Sequence, residues 1–159
     1  MPPRRPTVLV ATALVVLLVG GCGEDDEATP VACRDGSDAY VAALGDAPGE
    51  VLLSGEVPIS ECLTENQEGG LLATVGASMI DAATELNEDG RADPGGDANF
   101  EAGYRVGSAE RGAEETSGIH IELIRRLTAA ALYSPGGGGL PAAYLRAYRE
   151  GLVAGRERG

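Results

Sequence analysis

The sequence predicts an all-α domain of four or five helices over residues 33–159. Three segments carry apolar side chains at the three- and four-residue spacing of one helix face. These segments are 68–87, 97–133 and 141–159. Large apolar side chains are few while alanine and glycine are plentiful, so we expect a core that depends on close backbone approach.

Two short elements are expected before the first long helix. Asp35 or Ser37 can cap a short helix that ends in the Gly45–Gly49 region. Residues 50–57 are partly β-branched and interrupted by a glycine, so extended or irregular backbone is expected there. Residues 58–67 are expected to form a turn of helix.

The clearest helix is predicted over 68–87. Its buried stripe consists of Leu72, Val75, Met79 and Leu86. Asp89-Gly90 and the following Pro-Gly-Gly sequence predict a loop after it.

Segment 97–133 leaves two arrangements open. Asp97 is expected to cap a helix whose apolar pattern weakens from Ser108 onward and resumes at Ile119. The segment is either one long kinked helix or two helices broken at Ser117-Gly118. We favour the continuous helix, because the break contains no proline.

A final helix is predicted after Pro141, which suits a first helical turn. Its sequence echoes the preceding helix. Phe100-x3-Tyr104-Arg105-x-Gly107 matches Tyr144-x3-Tyr148-Arg149-x-Gly151, forty-four residues later. A duplicated helix, two helices that pack in the same way, or chance would each explain the match.

The first 22 residues form a unit of their own. Arg4 and Arg5 precede an apolar run over 7–19, which is followed by Gly20-Gly21-Cys22. This arrangement resembles the signal peptide and lipobox of a bacterial lipoprotein, with Val19 in place of the usual leucine. The resemblance implies cleavage before Cys22, a diacylglyceryl thioether on its sulfur, and a position on the outer face of the cell membrane.

Plain secretion and an uncleaved anchor are the alternatives to lipidation. Fifteen residues of helix span roughly 22 Å, short of the hydrocarbon layer of about 30 Å. A short apolar run with a charged start and small residues at its end favours a cleaved leader over an anchor.

The lipoprotein resemblance sets the expected domain organisation. Residues 1–21 would be the leader, 22–32 the lipidated cysteine with an acidic disordered tether, and 33–159 the domain. Lipid on Cys22 would leave Cys33 and Cys62 as an even pair in an oxidising compartment. A disulfide between them would contribute roughly 3.6 kcal/mol on the loop-entropy model.

The charge balance disfavours two classes of partner. Loss of Arg4 and Arg5 with the leader leaves 10 arginines against 25 acidic residues, a formal charge of −15, and the chain has no lysine. This balance disfavours nucleic acid, which needs a basic patch, and adhesion of the domain to anionic headgroups.

The candidate site residues are cationic. We find no HExxH, CxxC, GxSxG, P-loop or Rossmann motif, so no catalytic residue, metal ligand or cofactor is predicted. His120, the only histidine, is expected to be a helix residue with a local hydrogen bond. If several cations converged, they would form an anion or carboxylate site. The candidates are Arg105, Arg111, His120, Arg125 and Arg149. Surface pairing, such as Glu122 with Arg125, is the alternative.

The leading functional hypothesis is a non-enzymatic envelope module that binds a protein or a small ligand. The second is a small lipoprotein that binds an anion or carboxylate through its arginines and His120. The third and weakest is a hydrolase with His120 as base. Beyond the leader the chain resembles many small lipoproteins of GC-rich bacteria, and that resemblance implies no activity.

Overall fold

The computed structural model describes residues 28–114 and 116–159, which fold into a mostly helical domain. The all-α prediction is confirmed, with five α-helices in the described residues. These are α1 Ser37–Leu44, α2 Gly69–Ala92, α3 Ala98–Ala113, α4 Ile121–Ala131 and α5 Ala142–Arg158. Short 3₁₀ turns lie at Val31–Arg34, Ile59–Cys62 and Pro135–Gly137, and the strands are β1 Leu52–Leu53 and β2 Val57–Pro58.

The N-terminal boundary of the domain differs from the expected one. The leader and the lipidation site at Cys22 lie outside the described residues. The expected tether over 22–32 is too long, because Thr29 is buried and accepts a hydrogen bond from Nε2 of Gln67 at 2.8 Å. The first 3₁₀ turn then begins at Val31. None of the described helices is long and apolar enough to cross a membrane.

A disulfide and a hairpin organise the chain before α2. Cys33 and Cys62 are bonded with their Cα atoms 5.5 Å apart, which confirms the predicted bridge. Tyr40 of α1 donates from its hydroxyl to the Cys33 carbonyl at 2.9 Å. The segment expected to be extended or irregular forms the hairpin, in which Leu53 pairs with Val57.

Helix α2 is longer than predicted. The expected loop at Asp89-Gly90 is helical, and the helix continues to Ala92. Gly90 is buried, and a Cβ there would overlap the side chain of Asn99 and press on the ring of Tyr144. Gly90 therefore allows close packing inside a helix and does not form a turn. The predicted loop at Asp89-Gly90 was wrong for this reason.

Segment 97–133 contains two helices, so the favoured continuous helix was wrong. Helix α3 ends at Ala113 and α4 begins at Ile121. Ser117 and Gly118 both have left-handed backbone, with φ values of 50° and 85°. Two successive residues in this conformation interrupt the hydrogen-bond ladder of a right-handed helix without any proline.

The closest helix pair is α3 with α5. A Cβ on any of four glycines would collide with a backbone carbonyl oxygen of the facing helix. These glycines are Gly103, Gly107, Gly151 and Gly155. Such close approach suits Cα–H···O=C contacts and supplies the packing that bulky side chains do not.

The contacts show that the two helices run parallel. Gly151 faces the carbonyl of Phe100, and Gly155 faces that of Tyr104, one turn further along both helices. Gly103 and Gly107 thus correspond to glycines 48 residues later, whereas the sequence echo has a 44-residue offset. The two similar segments pack against each other, and the offset between the paired glycines exceeds the offset of the sequence match by four residues, about one helical turn.

Candidate functional site

A cleft of about 710 Å³ opens beside the first described residues. It lies between Pro30, the 3₁₀ turn that carries Cys62, and the end of α3. Glu61, Glu65 and Glu114 line it together with one cation, Arg111. The charged lining of this acidic cleft is therefore mainly negative.

Close backbone packing builds one wall of the acidic cleft. A Cβ on Gly112 would collide with the backbone of Ser60, so the end of α3 lies directly against the 3₁₀ turn. Arg111 donates from Nη1 to the carbonyl of Glu157 at 2.9 Å, near the end of α5. The hydrogen bond holds this guanidinium in place where it lines the cleft.

His120 is fully buried beside the acidic cleft and contacts Thr116, which lines it. Its Nδ1 lies 2.8 Å from Thr116 Oγ1, and its Nε2 lies 2.9 Å from Gln67 Oε1. The amide of Gln67 donates to Thr29 at 2.8 Å and to the Cys62 carbonyl at 2.9 Å. We call Thr29, Gln67, Thr116 and His120 the histidine network.

The histidine network accommodates a neutral ring. The Gln67 oxygen only accepts, so Nε2 of His120 carries a hydrogen. In the neutral ring Nδ1 is an acceptor, and the single hydrogen of the Thr116 hydroxyl must then turn to it from the Ala113 carbonyl. With a second proton on the ring, Nδ1 would donate to Thr116 Oγ1, and the hydroxyl would keep its 2.8 Å hydrogen bond to the Ala113 carbonyl. Burial lowers the pKa of His120 and thus favours the neutral form.

The burial of His120 weighs against its use as a catalytic base. A base must come within hydrogen-bond reach of the proton it removes from a substrate. Both nitrogens of His120 are engaged inside the protein, and its side chain has no exposed surface. The ring serves to connect α4 with the loop before α2.

Arg105 on α3 is the most unusual polar group in the described residues. It is fully buried, and Nε, Nη1 and Nη2 have no hydrogen-bond partner within 28–114 and 116–159. Burial lowers its pKa to about 9, and nearby Tyr40 and Tyr148 partly offset the decrease. Burial likewise raises the pKa of Tyr148 to about 12. At neutral pH an arginine stays charged, so this cation lacks a partner where water does not reach.

The structure does not gather the five candidate cations in one place. Arg105 is in the core, Arg111 lines the acidic cleft, and His120 lies behind Thr116. Arg125 is exposed and paired with Glu122 through Nε at 2.9 Å and Nη2 at 2.8 Å. Arg149 is also exposed. For Arg125 the structure therefore agrees with the alternative to an anion site, a surface ion pair with Glu122.

Sequence reasoning missed the acidic residues of the cleft and the partner of His120. Gln67 stood in an expected turn of helix and carried no motif. The burial of Arg105 did have a signal, since Ala102 and Ala109 share its helix face at three- and four-residue spacing.

A second, apolar groove of about 270 Å³ runs between α2 and α4. Leu72, Ile80, Ile119 and Leu123 contribute its larger apolar side chains, and Arg126 is its cation. Gly76 lies under Leu123, so the two helices approach closely at that point. We call this the α2–α4 groove.

Known proteins do not assign a ligand to either cavity. No family model, curated protein or solved structure matches the chain. Within 28–114 and 116–159, no three His, Cys, Asp or Glu side chains come together as a metal site would require.

Proposed function

We propose that the chain is an extracytoplasmic lipoprotein, anchored to the cell membrane through Cys22, whose domain binds a protein or small-ligand partner without catalysing a reaction. The observation that carries the proposal is the lipobox-like end of the leader at Val19–Cys22. The disulfide between Cys33 and Cys62 supports it, because such bonds persist in oxidising compartments outside the cytoplasm.

The acidic cleft is the proposed binding surface. Its volume lies within the range of ligand sites, roughly 300–1,000 Å³. Glu61, Glu65 and Glu114 favour a partner with cationic or hydrogen-bond-donating groups. Arg111 already donates to a backbone carbonyl and leaves the balance of the cleft negative.

The anchor is tested with Cys22→Ala in the native host. We expect the wild-type chain in the membrane fraction, with added lipid on its N-terminal cysteine by mass spectrometry. The variant should leave that fraction. An unmodified thiol at position 22 with the leader still attached would contradict the proposal.

The binding surface is tested by crosslinking on intact membranes. The double variant Glu61→Gln/Glu65→Gln removes charge from the cleft, while Glu88→Gln removes a charge from the exposed side of α2. We expect the cleft variant to lose the crosslinked partner and the α2 variant to retain it. Equal capture by both variants would place binding elsewhere.

A second candidate function is the binding of a small anion, and Arg105 is the observation that favours it. A chloride, nitrate or small carboxylate beside Tyr40 and Tyr148 would supply the partner that its guanidinium lacks. The sequence predicted an anion site formed by several arginines and His120. The present candidate site contains only one of these cations, the buried Arg105.

Thermal unfolding at constant ionic strength tests the anion candidate. We expect the melting temperature to depend on which anion is present in the wild type and in Arg149→Met, whose substituted residue is exposed. Arg105→Met should lose that dependence. The same anion response in all three proteins would exclude Arg105 as the site.

A further inference from the structure

We infer that the end of the domain from which the tether leaves rests on the lipid bilayer, with Val31, Ile119 and Ile121 in contact with lipid. The inference rests on the proposed anchor at Cys22 and adds an orientation to it. We call these three residues the aliphatic rim.

The aliphatic rim is exposed to an unusual degree. Val31 is 68% exposed, Ile119 45% and Ile121 70%. The described part of the chain has five large exposed hydrophobic side chains, and the rim contains three of them. The other two are Tyr133 and Val153. Exposed aliphatic side chains gathered in one region mark a contact surface more often than scattered ones do.

Hydrogen bonds bring the members of the rim to one end of the domain. Gln67 bonds to Thr29 on one side and to His120 on the other, at 2.8 and 2.9 Å. Val31 is two residues beyond Thr29, and Ile119 and Ile121 flank His120. The histidine network therefore connects the N-terminal end of the described domain to the start of α4.

The length of the tether keeps this end near the membrane. Ala28 is six residues from Cys22, a distance that a fully extended chain covers in about 21 Å. A lipid on Cys22 would hold the rim within that distance of the bilayer. Such tethering gives even a weak surface contact a high effective concentration.

The chemistry favours the apolar part of the interface over charge attraction. The chain as a whole is strongly acidic. Of the arginines near the rim, Arg125 is paired with Glu122, and Arg126 lines the α2–α4 groove in which Glu122 also lies. Aliphatic side chains can enter the boundary between headgroups and acyl chains without a basic patch. Ile119 also lines the α2–α4 groove, so the apolar surface continues from the rim into the domain.

Tryptophan fluorescence tests the contact, because the chain contains no tryptophan of its own. The full-length chain is produced in a bacterium that adds the lipid, and is reconstituted in phosphatidylcholine vesicles with doxyl-labelled acyl chains. Ile121→Trp and Val31→Trp report on the rim. Val153→Trp is the matched control, since Val153 is 54% exposed but lies on α5, which takes no part in the histidine network.

We expect quenching about threefold stronger at positions 31 and 121 than at 153, because interfacial groups enter the acyl boundary by several ångströms. Equal quenching on a chain with lipid confirmed on Cys22 would overturn the inference and leave the anchor intact. Emission at shorter wavelength without quenching would mean that protein covers the rim, which also overturns the inference. A chain without lipid that stays in the soluble fraction would overturn both.

Discussion

Nε2 of His120 lies 2.9 Å from Oε1 of Gln67, and this hydrogen bond joins the start of α4 to the loop before α2. The same glutamine amide reaches Thr29 and the carbonyl of Cys62. One buried side chain thus links the N-terminal end of the described domain, the disulfide and the turn between α3 and α4.

The histidine makes stability depend on pH. Burial lowers the pKa of His120 in the folded chain, so below about pH 6.5 the unfolded chain binds a proton that the folded chain does not. The contribution of the neutral His120 ring to the free energy of unfolding is complete above about pH 6.5. It is lost as the pH falls towards the lowered pKa, by at most about 1.4 kcal/mol per pH unit.

Urea unfolding between pH 8 and pH 5 measures this dependence. In His120→Gln the free energy of unfolding should fall less steeply between pH 8 and pH 5 than in the wild type. Glu101, whose pKa burial raises, is present in both proteins and cancels in the difference. Identical slopes in the wild type and the variant would contradict the prediction.

The glycine contacts between α3 and α5 predict a large effect of a single methyl group. Gly107→Ala would place a Cβ against the Leu152 carbonyl, and Gly155→Ala against that of Tyr104. We expect each to lower the free energy of unfolding by about 1–3 kcal/mol or more. Gly139→Ala, in open space between α4 and α5, is the control in denaturant unfolding. If Gly107→Ala and Gly155→Ala lowered the free energy of unfolding no more than Gly139→Ala does, α3 and α5 would not approach each other this closely.

Removal of the disulfide should destabilise the domain without changing its helical content. Cys33→Ser/Cys62→Ser opens a loop of 29-residue separation, for which the loop-entropy model gives a loss of about 3.6 kcal/mol. Thermal unfolding by circular dichroism measures the loss, and the wild type in reductant should behave like the variant. An unchanged melting temperature under reduction would contradict the prediction.

A buried hydrogen-bond cluster at the end of α4 should also contribute. Asn87 donates to the Ala131 carbonyl at 2.9 Å and to the Tyr144 hydroxyl at 3.1 Å, and Tyr144 donates to the same carbonyl. We expect Tyr144→Phe to cost about 1–2 kcal/mol because it leaves part of the cluster unpaired. Tyr133→Phe changes an exposed ring and should cost little in the same unfolding measurement. If both variants lost the same free energy of unfolding, the cluster would not contribute to the stability of the domain.

The helices could be predicted where apolar residues recur in the sequence at the spacing of one helix face. Val75, Met79 and Leu86 are buried as their spacing predicted, and α5 begins directly after Pro141. Caps were less predictable. Asp97 occupies the N-cap position of α3 without a side-chain hydrogen bond, and Gly36 rather than Asp35 or Ser37 precedes α1. Local propensity names residues suited to a cap, but tertiary packing decides where the helix begins.

The candidate site was predictable only in part, because its geometry depends on contacts between distant residues. His120 was expected to make a local hydrogen bond, and Thr116 supplies it, four residues away. Its partner Gln67 is 53 residues away and gave no sequence signal. The arginines were grouped by charge alone, and the fold instead placed Arg105 in the core and Arg149 in solvent.

The parallel pairing of α3 and α5 constrains the order in which the domain is completed. Gly151 and Gly155 lie on α5, which follows α3 and α4 in the chain, and they are two of the four glycines at the contact between α3 and α5. Until α5 has been synthesised and has left the ribosome, α3 lacks the helix that approaches it most closely. The domain therefore reaches its final packing late in synthesis, and the export that we propose would require the same late folding.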